Sequence, residues 1–189
     1  MRGQAVLAAL SVALLPAAAD AGAEWREMPI SDVRVISDGS GHVRLLVNPG
    51  SLLALQGKFV EAAVLTLPMD GQILTRELDV RVFPITRSWE SGVVTWTTPW
   101  SRAGGDVDER RMCAERLADG ERPTTLRLNI SGIVREMVDG SIDCHGFLLG
   151  VARHQGAGFR PEELARFGGL QGLALRVKVW EGRSQARGH

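Results

Sequence analysis

The chain has 189 residues, 44% of them hydrophobic and 23% charged, a soluble globular composition with enough apolar mass for one self-sufficient core. Its 22 basic and 22 acidic residues cancel, which argues against non-specific nucleic-acid binding and against a polybasic membrane patch. The 22 glycines and the scarcity of long amphipathic runs favour a turn-rich all-β chain over a helical one.

In chain order, the first element is a leader. Arg2 supplies a positive n-region and Ala5 to Leu15 an apolar run that Pro16 ends; Ala17-Ala18-Ala19-Asp20-Ala21-Gly22-Ala23 offers small residues for cleavage after Ala21 or Ala23. The run is short of the ~18 apolar residues of a spanning helix. No cysteine follows it for a lipid anchor, and no later segment reads as a membrane span. The expected layout is a signal peptide over 1–23, a β-sandwich domain over 24–182 and a flexible tail over 183–189. The mature protein is then secreted, periplasmic or held at the cell surface.

Strand signals follow. Ile30 to Ile36 alternates imperfectly, and Asp38-Gly39-Ser40-Gly41 turns the chain. His42 to Val47 reads as a short buried strand halted by Asn48-Pro49-Gly50. Phe59 to Leu67 carries apolar residues on both sides, with Val60, Ala62 and Val64 on one and Phe59, Ala63, Leu65 and Leu67 on the other. That pattern predicts a central strand. Glu77 to Phe83 alternates Leu78, Val80 and Val82 inward with Asp79 and Arg81 outward, a strand with one wet face.

The stretch Ser88 to Trp96 sets two tryptophans, Trp89 and Trp96, around Ser91-Gly92 and Val93-Val94-Thr95. It reads as a strand end, a tight turn and a short strand whose indole fills the space between two sheets. Thr97 to Gly120 is polar and punctuated by Gly104-Gly105-Asp106, a loop with room for one short strand. Thr124 to Leu128 is a further strand. Asn129 or Ser131 can then cap a helix bearing Ile133, Val134 and Met137, which Gly140 stops. Gly146 to Ala152 and Leu173 to Val179 are closing strands, the second with Leu173, Leu175, Val177 and Val179 inward and Arg176 and Lys178 in water. A turn of helix fits Pro161 to Phe167.

Candidate chemistry is sparse. No G-x-S-x-G marks a nucleophile, and His42, His145, His154 and His189 have no metal-ligand spacing. Glu90 and the group Asp106, Asp108 and Glu109 are carboxylates without a fixed partner geometry. Asp106-Val107-Asp108 alternates like an oxygen-ligand loop, so Asp106 and Asp108 are the candidate ligands of a structural calcium, against a plain solvated loop. In an oxidising compartment Cys113 and Cys144 read as a disulfide worth about 3–4 kcal/mol. Free thiols, or a metal site with His145, are the alternatives; the latter has no C-x-x-C spacing and no fourth ligand. Trp100 follows Pro99 in a polar loop, and with Arg102, Arg110 and Arg111 it can form an apolar and cationic surface for an acidic polysaccharide. The bland account is a loop lid packed over the sandwich edge.

From Arg44 to Trp180 the chain resembles the DNRLRE domain family, jelly-roll-like β-sandwiches related to disaggregatase repeats and polysaccharide-binding modules. The resemblance is carried by Arg44-Leu45-Leu46-Val47, by the Phe59 to Leu67 strand, and by Val80-Arg81-Val82 followed by Trp89-Glu90 and Val94-Thr95-Trp96. Leu128 to Val134 and Gly146-Phe147-Leu148-Leu149 complete it. Asn129 and Ser131 stand where the family has Asp and Thr, Met137 where it has Trp, and Ile30 to Gly41 replaces a longer N-terminal region. A ligand site on that region does not carry over.

The resulting expectation is an all-β, antiparallel jelly-roll-like sandwich with one or two short helices. It is a non-catalytic module of the secretome or cell envelope that binds polysaccharide or another cell-surface component. A structural or adhesive protein contacting other proteins is the alternative, and a polysaccharide hydrolase or lyase a remote one.

Overall fold

A computed structural model of the chain describes residues 22–50, 52–153, 156–168 and 170–180. Most of the expected leader, His154 and the tail over 183–189 lie outside the described residues. Two antiparallel sheets pack as a sandwich. The first has the order β1 (Glu24–Met28), β10 (Ala174–Trp180), β4 (Phe59–Pro68), β7 (Thr125–Asn129). The second has the order β2 (Asp32–Ser37), β3 (Val43–Asn48), β8 (Phe147–Arg153), β5 (Leu78–Pro84), β6 (Cys113–Leu117). The two-residue β9 (Gly156–Ala157) pairs with the end of β8. The chain changes sheet after β1, β3, β4, β6, β7 and β9, which is the jelly-roll path expected from the sequence.

Alternation produces these strands. In β7, Leu126 and Leu128 are buried between exposed Thr125, Arg127 and Asn129. In β10, Leu175, Val177 and Val179 are buried and Arg176 and Trp180 exposed. With Leu45, Val47, Leu65, Leu67, Val80, Val82, Phe147 and Leu149 they fill the space between the sheets. Phe159 and Phe167 close one end of that core edge to face, 5.3 Å between centroids.

β4 is central, as its two apolar sides indicate, but its faces are not a simple alternation. The pairing with β10 slips between Lys178 and Val179, so that Ala62 faces Lys178, Val60 faces Val179, and Glu61 is the extra residue of a bulge. The slip moves Val60 to the same inward side as Ala63, Leu65 and Leu67. It also frees backbone groups, which α1 (Ser131–Asp139) satisfies: Arg135 donates to the Val60 carbonyl at 2.8 Å and to the Glu61 carbonyl, and the Ser131 hydroxyl accepts from the Ala63 amide at 2.9 Å. The cap position of this helix is Ile130, which has no side-chain cap bond, rather than Asn129 or Ser131; Asn129, one residue earlier, still satisfies a free donor, its Oδ1 accepting from the Ser131 amide at 3.2 Å and hydroxyl at 2.6 Å, and Gly140 ends the helix in the left-handed region.

Three further expectations are corrected. Ser88 to Trp96 contains no strand; it is turn and irregular chain, and Val93 is 58% exposed. A strand not expected, β1, begins at Glu24, whereas β6 is the one short strand for which the long polar segment had room, paired with β5. α2 (Pro161–Ala165) is shorter than the segment read for it and is started by Glu163, which accepts from the Arg160 amide at 2.8 Å.

Candidate functional site

The tryptophan-rich loop does not enter the sandwich. On the second sheet Arg44, Leu46, Phe83 and Leu148 alternate with the core residues and therefore point away from the first sheet. That outer face is nevertheless dry. Ile36, Leu46, Phe83, Ile85, Trp100 and Leu148 form a second apolar cluster, with Trp89, Val94, Trp96 and Val107 packed against it. Residues 86–108 lie over the sheet as a cover, and a bridge between Ile85 and Val107 closes its base. The indole N–H groups tie it down: Trp100 donates to the Thr95 carbonyl at 2.8 Å and Trp89 to the His145 carbonyl at 2.9 Å. Arg44 donates to the Gly104 carbonyl at 2.6 Å with its guanidinium 5.0 Å over the Trp96 ring.

This placement corrects the expected ligand platform. Trp100 is only 7% exposed and offers no free ring face. Arg111 is bound to Asp108 and Glu136, while Arg102 and Arg110 are exposed but have no aromatic partner in Trp100. The structure shows a lid, seated on a sheet face and not over the sandwich edge.

The two aspartates offered for calcium organise this loop. Asp106 is buried, and its carboxylate accepts from the Ser101 amide (2.8 Å), the Ser101 hydroxyl (2.8 Å) and the Arg102 amide (3.0 Å), with Arg87 at 3.6 Å. Asp108 accepts from the Arg110 amide at 2.9 Å, capping a short 3-10 turn over Glu109–Arg111. Both carboxylates are thus satisfied by protein donors, and among the described residues no three metal-ligating side chains converge. Burial pushes the Asp106 carboxyl up, but the Ser101 and Arg102 donors and Arg87 outweigh it and hold it below the ordinary range. A carboxyl with a depressed folded pKa contributes stability above its unfolded value of about 3.9 and loses it as pH falls through the lower folded value. The loop is therefore expected to loosen in acid. An Asp106→Asn variant will be less stable than wild type at neutral pH, and the gap will narrow below about pH 4 in urea titrations; a constant gap refutes the assignment.

The expected disulfide is absent; both thiols are free. Cys113 opens β6 opposite Val82 and packs against the main core, where burial raises its thiol above the ordinary value. Cys144 is exposed in the loop before β8, its sulfur accepting from the Gly146 and Leu52 amides. Strand β5 stands between β6 and β8. Two strand spacings are ~10 Å, beyond the ~7 Å Cα separation a disulfide can bridge.

Among the described residues, the large uncovered aromatic surface is on the outer face of the other sheet. On the outer face of the first sheet Trp25 is 41%, Trp180 42% and Phe59 63% exposed. Register puts them together: Trp25 of β1 faces Lys178 of β10, and Trp180, two residues on, faces Phe59 of β4. Trp180 donates its indole N–H to Glu61 Oε2 at 2.9 Å, Glu61 Oε1 accepts from Lys178 at 2.7 Å, and the Arg176 guanidinium lies 5.1 Å over the Trp25 ring. Lys178 and the Trp180 N–H hold the Glu61 carboxyl below its ordinary range, against desolvation. Trp180 and Trp25 thereby have polar partners that fix them, and all three rings remain exposed. Sequence reasoning missed this group. Trp180 shares the outward parity of Arg176 and Lys178, a signal that was present; Trp25 lies ahead of the first strand expected, and the bulge at Glu61 hides which face Phe59 takes.

Elsewhere Gly140, Ile142 and Asp143 form a ridge between two open clefts of about 250 Å³ and 380 Å³ at the end of the sandwich. Among the described residues no helix is long and apolar enough to cross a membrane. No family model matches the chain, and no curated protein is significantly similar to it.

Proposed function

We propose that this chain is an exported, non-catalytic β-sandwich module that binds carbohydrate, of the kind the DNRLRE resemblance implies. The observation that supports it most is the exposed row of Trp25, Trp180 and Phe59 with its polar frame of Glu61, Lys178 and Arg176. A sugar presents C–H faces that stack on such rings and hydroxyls that bond to such a frame, whereas a purely apolar partner leaves the frame unmatched. Cleavage after Ala21 or Ala23 leaves β1, and with it Trp25, in the mature chain. The resemblance itself rests on residue spacing alone.

The test is retardation of the exported protein in native gels cast with a panel of polysaccharides. Trp180→Ala and Trp25→Ala are expected to weaken binding at least about tenfold, the effect of losing a ring worth ~1.4 kcal/mol or more. Trp89→Ala, on the covered face, should bind as wild type wherever it remains folded. Equal binding by all three variants removes the proposal. The alternative, a structural or adhesive protein contacting other proteins, draws on the β2 edge, where Val35 is 47% exposed on a strand with a neighbour on one side only.

A further inference from the structure

We infer that the ligand of this aromatic face is an uncharged polysaccharide chain, held by ring stacking and hydroxyl hydrogen bonds rather than by ion pairing; the inference rests on the carbohydrate reading above. Two observations carry it. The first is charge. Lys178 is paired with Glu61 at 2.7 Å, and Arg176 sits opposite Glu27 in the β1–β10 register while stacking on Trp25. Both outward cations of β10 therefore have a carboxylate next to them, so an acidic chain approaching Lys178 or Arg176 would meet a carboxylate as well. Of the other cations near these rings, Lys58 precedes Phe59 in the chain, Arg135 is held at the β4 edge by the Val60 and Glu61 carbonyls, and Arg127 lies opposite Thr66, seven residues along β4 from Phe59 and ~23 Å away at strand rise. The exposed Arg102 belongs to the second sheet's cover and Arg110 to the 3-10 turn that follows it, not to this face.

The second is extent. Trp25, Trp180 and Phe59 occupy three adjacent strands, β1, β10 and β4. Two strand spacings across and two residues along give a diagonal of ~12 Å between the outermost Cα atoms. That exceeds one sugar ring and suits consecutive rings of an extended chain. The Glu61 carboxylate and the Lys178 ammonium lie along the same diagonal, one an acceptor and the other a donor, which matches the dual character of sugar hydroxyls.

The experiment compares gels containing uncharged polysaccharides (a β-linked glucan, a mannan) with gels containing acidic ones (alginate, polygalacturonate), at about 0.05 and about 0.5 M NaCl. Across that range the Debye length falls well below 10 Å. Retardation in an uncharged gel, unchanged by salt and reduced at least tenfold in apparent affinity by Trp180→Ala and by Phe59→Ala, is the expected result. Phe59 is the most exposed ring, so its variant keeps the test open if Trp180→Ala proves unstable. Retardation confined to the acidic gels, fading with salt yet still lost in both variants, overturns the uncharged ligand and leaves the carbohydrate reading standing. Binding indifferent to both variants, no binding in any gel, or self-association of the wild type that Trp180→Ala abolishes overturns both.

Discussion

Trp100→Ala is expected to destabilise the protein by about 3–5 kcal/mol, the usual range for truncating a buried indole. The ring is 7% exposed and packs with Ile36, Leu46, Phe83, Ile85 and Leu148. Its loss opens a cavity beneath a loop that has no regular secondary structure to fall back on, and it leaves the Thr95 carbonyl without its donor. Because the second cluster is separate from the core between the sheets, the damage should be local first. Tryptic cleavage after Arg87 and Arg102 should accelerate before global unfolding, and the emission of Trp89 and Trp96 should shift to the red. Trp100→Phe, which keeps a six-membered ring and loses the pyrrole ring with its N–H, should cost less than the alanine variant, about 2 kcal/mol. Under the platform reading suggested by sequence, the same alanine variant would keep its stability and lose a ligand, so a urea titration separates the two.

Gly146→Ala should be as damaging through the backbone alone. Gly146 has φ +93°, and a Cβ there would stand 2.4 Å from the Val47 carbonyl oxygen and 3.3 Å from Asn48 Cα. A left-handed conformation costs a residue with a Cβ about 1–2 kcal/mol. The clash adds to it, because Val47 is paired with both Val33 and Phe147 and cannot retreat without opening two ladders. A loss of about 3 kcal/mol or more is expected, read as a lower urea midpoint at unchanged slope. Gly132→Ala is the control: it lies in α1 with nothing within 4 Å of the new methyl. It should stabilise by about 0.5–1 kcal/mol. A Gly146→Ala variant as stable as wild type would mean that the start of β8 is not set against β3 as described.

The candidate site divides along the same line between local and non-local information. Asp106 and Asp108 were visible as an alternating acidic pair, but the donors that occupy them come from the turn of Ser101, Arg102 and Arg110, whose geometry no spacing rule gives. Cys113 and Cys144 were visible as a pair of thiols, and the strand order keeps them apart. The polar neighbours of Trp100 leave an exposed ring and a buried one equally open, because those neighbours are the outer surface of the loop that buries it.

What the sequence determined by itself is the set of strands and their inward faces. β5, β7 and β10 follow from period-two alternation, and α1 from the Asn129 side chain at its start, its 3.6-residue apolar stripe and the Gly140 stop, because each of these is fixed by interactions within a few residues. Only the tertiary structure decided what happens on the two outer faces. Alternation says that Leu46, Phe83 and Leu148 leave the core on one sheet and that Arg176, Lys178 and Trp180 leave it on the other. It cannot say that residues 86–108 fold back over the first group and leave the second bare. The physical reason is that this choice rests on a long loop closing across strands distant in sequence, where burial of one shared apolar surface, rather than any local preference, sets the outcome.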